Sequence, residues 1–507
     1  MLKAVTQWLD YTAKRLPSKI AFGTETKDGI SAMTFSELRN AARKIGARLV
    51  AAGYFKEPVL VAMDKTPQCV AAMLGCAYAN CPYAPVDVDN PFERLGKIIE
   101  KLQPCACITV EKYGPKFDGV SNVLIYDELI SDQRITGAAA DRLLDAVHEH
   151  RISMDILYVI FTSGSTGIPK GVAVSHASVI DYSVELSEKF GFGEETVFGQ
   201  SVPFFFDSSI LYLYQTIKNG CTDWIISRVS LMFPAKTIDF LCKYGCNTIY
   251  WVPTSYGIIA KSGVLEKRIP ENLSQCFFVG EVMPNSVLNV WRRHFPNAKF
   301  VNLFGPTEIT DTFIYYVVDR DFGDSEPLPI GKRYDNCDVF LLSDDNTPTK
   351  DGCIGELCVR GIKVSNGYWN EPEKTAEVFI QNPLNSHYRE FIYKTGDLAY
   401  VNERGEFIYA GRKDFQVKHA GHRIELGEIE AAASSIEGVE MCACVFDREN
   451  NILVLFYVGS TDKSAIRGVL KNKLQDYMIP DRMEKIEKMP RTGSGKISRT
   501  ELLELLP

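Results

Sequence analysis

Nearly continuous apolar runs that alternate with helical patterns constrain this chain more than any other feature. EPVLVAMD is followed by TPQCVAAMLGCAYAN and CPYAPVD, and LYVIFTS, TDWIIS, NTIYWVP, QCFFVGE and KFVNLFGP repeat the theme later. Strands that are apolar on both faces and separated by helices belong in parallel sheets covered on both sides. Ligands of such sheets sit at the carboxyl ends of the strands. Several runs here end in clusters of Gly, Pro, Ser or Thr, where polar loops can converge. The tail changes character. ELGEIEAAASSI reads as a helix, VEMCACVFDRENNILVLFYV as a hairpin turning at Arg-Glu-Asn-Asn, and KSAIRGVLKNKLQDYM as a second helix. This is the pattern of a small α+β domain. The junction is expected within GRKDFQVK, residues 411–418, which gives domains 1–411 and 412–507. A chain of 507 residues also exceeds the ~250–300 residues at which single cores divide.

The balance of charge excludes some functions. A net charge of −8 and a pI near 5.6 argue against a broad nucleic-acid surface. The N-terminal MLKAVTQWLDYTAKRLPSKIAF carries charges throughout an amphipathic helical pattern and lacks the apolar core of a signal peptide. No run of about 18 apolar residues is present, so no membrane span is expected. The 14 cysteines fall mostly in apolar stretches and form no C-x-x-C. Buried, reduced thiols in a cytoplasmic protein are the expected state.

One loop stands out as a ligand site. In YVIFTSGSTGIPKG, residues 158–171, an apolar run opens into Thr162, Ser163, Gly164, Ser165, Thr166 and Gly167, and Lys170 closes the loop. Successive free N–H groups, hydroxyls and one ammonium suit a phosphate. The P-loop pattern G-x-x-x-x-G-K-[ST] does not fit, because Pro169 stands at its second glycine and Gly171 follows Lys170.

Further motifs follow in order along nearly the whole chain. They are MTFSELRNAA (33–42), MLGCAYANCPYAPVDVDNPFERL (73–95), FFFDSS (204–209), NLFGPTE (302–308), GELCVRGIKVSNGYWNEPEKT (355–375), YKTGDLA (393–399), GRKDFQVKHAGHRIELGEIE (411–430) and PRTGSGKISR (490–499). Together with the 158–171 loop they resemble the adenylate-forming superfamily of acyl- and aryl-CoA ligases, luciferases and amino-acid adenylation domains. The resemblance implies an α/β fold, with a large N-terminal domain of sheets flanked by helices and a small mobile α+β C-terminal lid. It also implies two half-reactions: a carboxylate attacks the α-phosphate of ATP, and a thiol then displaces AMP.

Roles carried over by position are expectations of that resemblance. The 162–170 loop holds the departing phosphates. Glu308 is the Mg²⁺ ligand, a hard carboxylate suited to that ion, and Thr307 contacts the α-phosphate. Phe304 lies against adenine where the family usually has Tyr, and Gly280, Glu281 and Asn302 complete the nucleotide site. Asp397 accepts both ribose hydroxyls, and Arg412 reaches the ribose or phosphate. Lys496 is the catalytic lysine of adenylation, bridging the attacking carboxylate and ATP oxygens. Asp414 is the hinge, and Lys418 and Arg423 serve the second half-reaction. His419 and Ala420 depart from the family's usual VKIRGxRIE.

The acid to be activated is read from Asp207. Amino-acid-activating members carry Asp here for the substrate α-ammonium, whereas fatty-acyl and aryl ligases generally do not. The residue could also cap the helix that begins at SSILYLY, and the two roles can coexist. The remaining substrate positions are Ser208, Leu211, Tyr250, Phe277, Val279, Leu303, Gly305, Asp311 and Thr312. Val279, where Gly or Ala is usual, predicts a short slot, and Asp311 could meet a hydroxyl, an amide or a second cation. The expected substrate is therefore a small or short polar amino acid. FVGEVMPN (278–285) is similar to D-alanine–carrier protein ligases, and the resemblance to free-standing adenylation proteins of nonribosomal peptide synthetases is equally open; either way the expected acceptor is the phosphopantetheine thiol of a separate carrier protein. The alternative is a CoA ligase for a small carboxylic acid.

Overall fold

A computed structural model describes residues 2–164, 168–324, 326–350, 352–414, 416–491 and 497–506. Ser165, Thr166, Gly167 and Lys496 lie outside the described residues. The chain forms two compact units, one from 1–88, 102–161 and 171–411, the other from 89–101, 162–170 and 412–507.

The first unit is built on three sheets. Six parallel strands form the middle of the nine-stranded sheet, in the order Lys299–Phe304, Gln275–Val279, Thr248–Trp251, Val197–Gln200, Thr222–Ile225, Ile20–Thr26, with antiparallel strands at both edges. These strands are the apolar runs of the sequence. Trp251, Phe277 and Phe278 are almost wholly buried because helices cover both faces. The chain runs from Val197–Gln200 to Thr222–Ile225 on one side, then returns to build Thr248–Trp251 on the other. This reversal is a topological switch point, where loops at the strand ends part and leave a crevice. A six-stranded sheet contains Ile156–Thr162 and Lys170–Ser175, the strands that flank the Gly/Ser-rich loop.

The third sheet is antiparallel and was not anticipated from the pattern of parallel strands. Cys337–Leu342, Gly355–Gly361, Phe391–Val401 and Phe379–Gln381 pair in that order, and Phe407–Arg412 joins the long strand. Residues 394–398 of that strand face only 356–358 of its partner. The extra residues form a bulge at Thr-Gly-Asp, and bulges re-aim side chains.

The second unit holds the elements expected of the tail. Leu426–Ser434 and Lys463–Lys473 are helices, and Val439–Asp447 pairs antiparallel with Ile452–Gly459. Ile429, Leu453, Leu455 and Leu470 give this unit its own core. Arg94, from the helix Phe92–Leu102, donates to Glu428 at 2.5 Å, with both side chains buried.

Candidate active site

A Cβ on Gly164 would stand 2.0 Å from the Ile168 carbonyl oxygen, so no side chain fits there. The Thr162 hydroxyl is buried without a hydrogen-bond partner. Ser163 Oγ donates to the Arg423 carbonyl at 2.7 Å, and Lys170 Nζ stands 3.6 Å from Glu425 Oε1. Burial pushes the Glu428 carboxyl up, while Arg94 and the Gly164 N–H pull it back. Donors of the kind that cradle phosphates thus meet acceptors of residues 423–428.

The hairpin Gln416–His419/His422–Glu425 sets Lys418 directly opposite Arg423, so both cations share one face. Arg412 makes a fork with Asp414, Nε to Oδ1 at 2.7 Å and Nη2 to Oδ2 at 2.8 Å. Burial raises the Asp414 carboxyl, but the Arg412 bonds outweigh it and hold the group below its ordinary value. The expected nucleotide contact and the expected hinge residue are therefore bonded to each other.

In the first unit, candidate residues gather at four adjacent parallel strands. Asp207 follows Val197–Gln200, Tyr250 lies in Thr248–Trp251, Val279 and Glu281 end Gln275–Val279, and Asn302 to Gly305 end Lys299–Phe304. Asp207 is half-buried and accepts the Ser208 N–H at 2.8 Å, at the entrance of the helix Ser209–Asn219. A carboxylate there is favoured by the helix dipole, but its bond reaches only the N–H of the N-cap residue Ser208, and no side chain caps the first turn. Leu211, Phe277, Val279 and Leu303 are buried around the same strands. Glu281 accepts from the N–H and hydroxyl of Thr254 at 2.9 and 2.7 Å, at the start of the helix Pro253–Ser262. Asn302 donates to the Pro329 carbonyl at 2.9 Å. The Phe304 ring packs between Phe313 and Tyr409, with centroids 5.9 and 5.8 Å away. Asp397 is buried in the bulge, with its N–H on Thr395 Oγ1 at 3.0 Å.

Glu308 is wholly buried beside the buried Thr307, and Tyr368 donates its hydroxyl to Glu308 Oε1 at 2.8 Å. Asp311 accepts from Tyr250 and Tyr182, and Thr312 meets the Tyr334 hydroxyl at 3.3 Å. Tyr182 and Tyr368 were not among the residues singled out from sequence. Tyr368 lies inside a recognised motif, NGYWN, but nothing local ties it to a residue 60 positions earlier. Tyr182 sits in an ordinary amphipathic helix, His176–Phe190. A surface cavity of about 620 Å³ near Leu241, Arg268 and His294 contains none of the candidate residues.

Among the described residues, no three His, Cys, Asp or Glu side chains gather as a metal cage. One buried carboxylate completed by substrate oxygens is the arrangement Mg²⁺ takes at phosphates, and Glu308 fits it. No helix of the described residues is long and apolar enough to cross a membrane.

Residues 9–369 match the model of the AMP-binding enzyme family, and residues 428–496 match that of the AMP-binding enzyme C-terminal domain. A linear gramicidin synthase of Brevibacillus parabrevis is 32% identical over 93% of this chain, which spans only 6% of that protein. The D-alanine–D-alanyl carrier protein ligase of Bacillus licheniformis is 30% identical over 97% of both chains. The crystal structure of IdnL1 is 25% identical, with a TM-score of 0.80 over 97% of this chain and 99% of that one. The chain belongs to the AMP-binding enzyme family and is an AMP-forming ligase.

Proposed function

We propose that this chain activates an amino acid with a small or short polar side chain as its aminoacyl-adenylate and then passes it to the phosphopantetheine thiol of a separate carrier protein. The substrate carboxylate attacks the α-phosphorus of ATP and pyrophosphate leaves. A thiol next attacks the acyl carbon and AMP leaves. The carrier-protein ligase among the relatives supports the acceptor.

Two anions must meet in the first step, so donors must offset their repulsion as charge shifts to the leaving group. The Thr162 hydroxyl and the N–H groups after it bind the β- and γ-phosphates, with Lys170 as counter-charge. Thr307 orients the α-phosphate, Asp397 holds the ribose, Phe304 lies along adenine, and Arg412 reaches the nucleotide. Glu308, fixed by Tyr368, would hold Mg²⁺, which would supply charge neutralisation at the phosphates. Lys496 neutralises the attacking carboxylate in the adenylating arrangement. Residues 412–507 move about Asp414 to bring Lys418 and Arg423 into the second step. No disulfide joins any of the fourteen cysteines, which fits a reducing cytoplasm.

The observation that carries the amino-acid reading is Asp207. It is half-buried at the entrance of the helix Ser209–Asn219, and its charge acts on the buried phenols of Tyr158 and Tyr250. An α-ammonium is the cation such a carboxylate would receive. Asp207→Ala should raise KM for the amino acid far more than for its des-amino analogue. Equal changes would remove the ammonium role.

A further inference from the structure

Lys65 lies outside every motif that marks the nucleotide or the substrate, yet its ammonium reaches the segment that carries Asp207. The strand Val59–Ala62 of the six-stranded sheet ends three residues before it, and the helix Pro67–Tyr78 follows. Lys65 therefore stands at the carboxyl end of a parallel strand, the end at which such sheets meet their ligands. Its Nζ donates to the Ser201 carbonyl at 2.9 Å, across 136 positions. Ser201 directly follows the strand Val197–Gln200 of the nine-stranded sheet. One ammonium thus ties the ends of two separate sheets.

Residues 201–208 form neither helix nor strand, so their carbonyls need donors from elsewhere. Gln200 Nε2 donates to the Val202 carbonyl at 3.2 Å, and the Phe206 N–H to that of Pro203 at 3.2 Å. Ser209 Oγ donates to the Phe204 and Phe206 carbonyls at 3.3 and 2.7 Å. These donors are local and neutral. Lys65 adds a charged one from outside the segment, and charge strengthens a hydrogen bond. The segment is held by Lys65 where it leaves the sheet, and at its far end the Asp207 carbonyl accepts the Ile210 N–H at 2.9 Å.

The acid that acts on this ammonium is Asp223, in the neighbouring strand Thr222–Ile225. Asp223 is wholly buried, and neither oxygen of its carboxyl has a hydrogen-bond partner. Burial pushes Asp223 well above its ordinary value while Lys65 pulls it down, and burial lowers Lys65 to about 7 against the pull of Asp223. Asp223 also acts on Tyr212, Cys221 and Cys246, whose phenol and thiols burial keeps neutral. Asp64, next to Lys65 in sequence, is engaged by Lys112 and Tyr113.

We infer that Lys65 is a positioning residue for amino-acid recognition: by holding the Ser201 carbonyl it fixes residues 201–208, and so sets the Asp207 carboxylate for the substrate ammonium. It acts through the main chain rather than on the substrate. The inference rests on the amino-acid reading above, and its test separates the two.

ATP–pyrophosphate exchange is measured for wild type, Lys65→Met, Lys65→Arg, Asp207→Ala and the double variant Lys65→Met/Asp207→Ala. The probes are the amino acid that wild type exchanges best and its des-amino analogue, the latter read as an inhibitor. Lys65→Met should raise KM for the amino acid about tenfold or more, the scale of one hydrogen bond to a charged group. KM for ATP and the inhibition constant of the analogue should stay unmoved. Lys65→Arg should restore most of the loss, because the guanidinium remains a charged donor. In the Asp207→Ala background Lys65→Met should add nothing further, as expected of two residues that act as one. Additive losses, or equal losses for amino acid, analogue and ATP, would overturn the inference and leave Asp207 its role. In wild type, KM for the amino acid should also rise as pH climbs through about 7, where the Lys65 ammonium loses its proton. Lys65→Arg should flatten that rise, and an equal rise in both would overturn the inference as well. If Lys65→Met fails to fold with Asp223 left buried, Lys65→Met/Asp223→Leu removes both charges and carries the same comparison. If Asp207→Ala weakens amino acid and analogue alike, the amino-acid reading fails by itself. Lys65 is then judged by whether Lys65→Met raises KM for the accepted acid but not for ATP, and the lack of that split overturns its role.

Discussion

Glu425→Gln is the substitution whose outcome follows most directly from the contacts of the Gly/Ser-rich loop. Lys170 and Glu425 stand 3.6 Å apart, with side chains 14% and 9% exposed. At an effective dielectric near 20, opposite unit charges at that spacing attract by about 4–5 kcal/mol. Desolvation cancels much of this, leaving a net scale of about 1–2 kcal/mol. If Lys170 binds phosphate, Glu425 competes with it for the same ammonium. Glutamine keeps the shape and can still pair with Gln416, whose Nε2 donates to Glu425 at 2.5 Å. Pyrophosphate should therefore bind about 5–30-fold more tightly to the variant. The assay is calorimetric titration with magnesium pyrophosphate, backed by KM for pyrophosphate in the exchange reaction. Glu440→Gln removes an exposed carboxylate from the strand Val439–Asp447 of the same unit and serves as the control for net charge. Unchanged or weaker binding in Glu425→Gln, or an equal gain in the control, would refute the reasoning.

Tyr368→Phe removes the donor on Glu308 Oε1, a hydrogen bond to a charged group worth about 1.5–3 kcal/mol. The Mg²⁺ concentration that half-saturates adenylation should rise about tenfold or more, with KM for the amino acid unmoved; a change confined to that KM would contradict the assignment. Acid should destabilise the fold through two histidines. Burial, with Arg151 adding and Asp155 opposing, pushes His176 down to about 3, and burial together with His419 brings His422 to about 3. An unfolded histidine titrates near 6.5, so below that pH the unfolded chain binds protons that the folded chain refuses. Their contribution is complete above about pH 6.5 and declines toward pH 3, by up to about 1.4 kcal/mol per pH unit for each. Urea midpoints between pH 8 and 5 should fall, and His176→Gln should flatten the fall by about one proton; an unchanged slope would remove His176 from the account.

Much of the fold was legible because its signal is local. Strands buried on both faces are apolar throughout, so NTIYWVP and QCFFVGE announced Thr248–Trp251 and Gln275–Val279. The tail hairpin around Arg-Glu-Asn-Asn formed where hydrophobic alternation breaks. The antiparallel sheet of 337–412 escaped because its strands are interrupted by polar and glycine residues, as in FIYKTGDLAYV, which reads as a motif before it reads as a strand. In the site, the motifs marked Asp207, Glu308 and Asp397 but not their partners. Tyr182 reaches Asp311 across 129 positions and Arg94 reaches Glu428 across 334, and no spacing in the sequence encodes such pairs. Asp311 shows what is lost without them: as a letter it is an acid in a pocket, and in place it is an acceptor already engaged by two hydroxyls.

The central claim is that the substrate is a small amino acid recognised through its α-ammonium. Wild-type ATP–pyrophosphate exchange, run side by side with glycine, both enantiomers of alanine, serine, acetate and propionate, tests it most directly. The account predicts exchange with at least one of the amino acids and none with acetate or propionate. Exchange with acetate or propionate alone would contradict it and would make the enzyme a ligase for simple carboxylic acids.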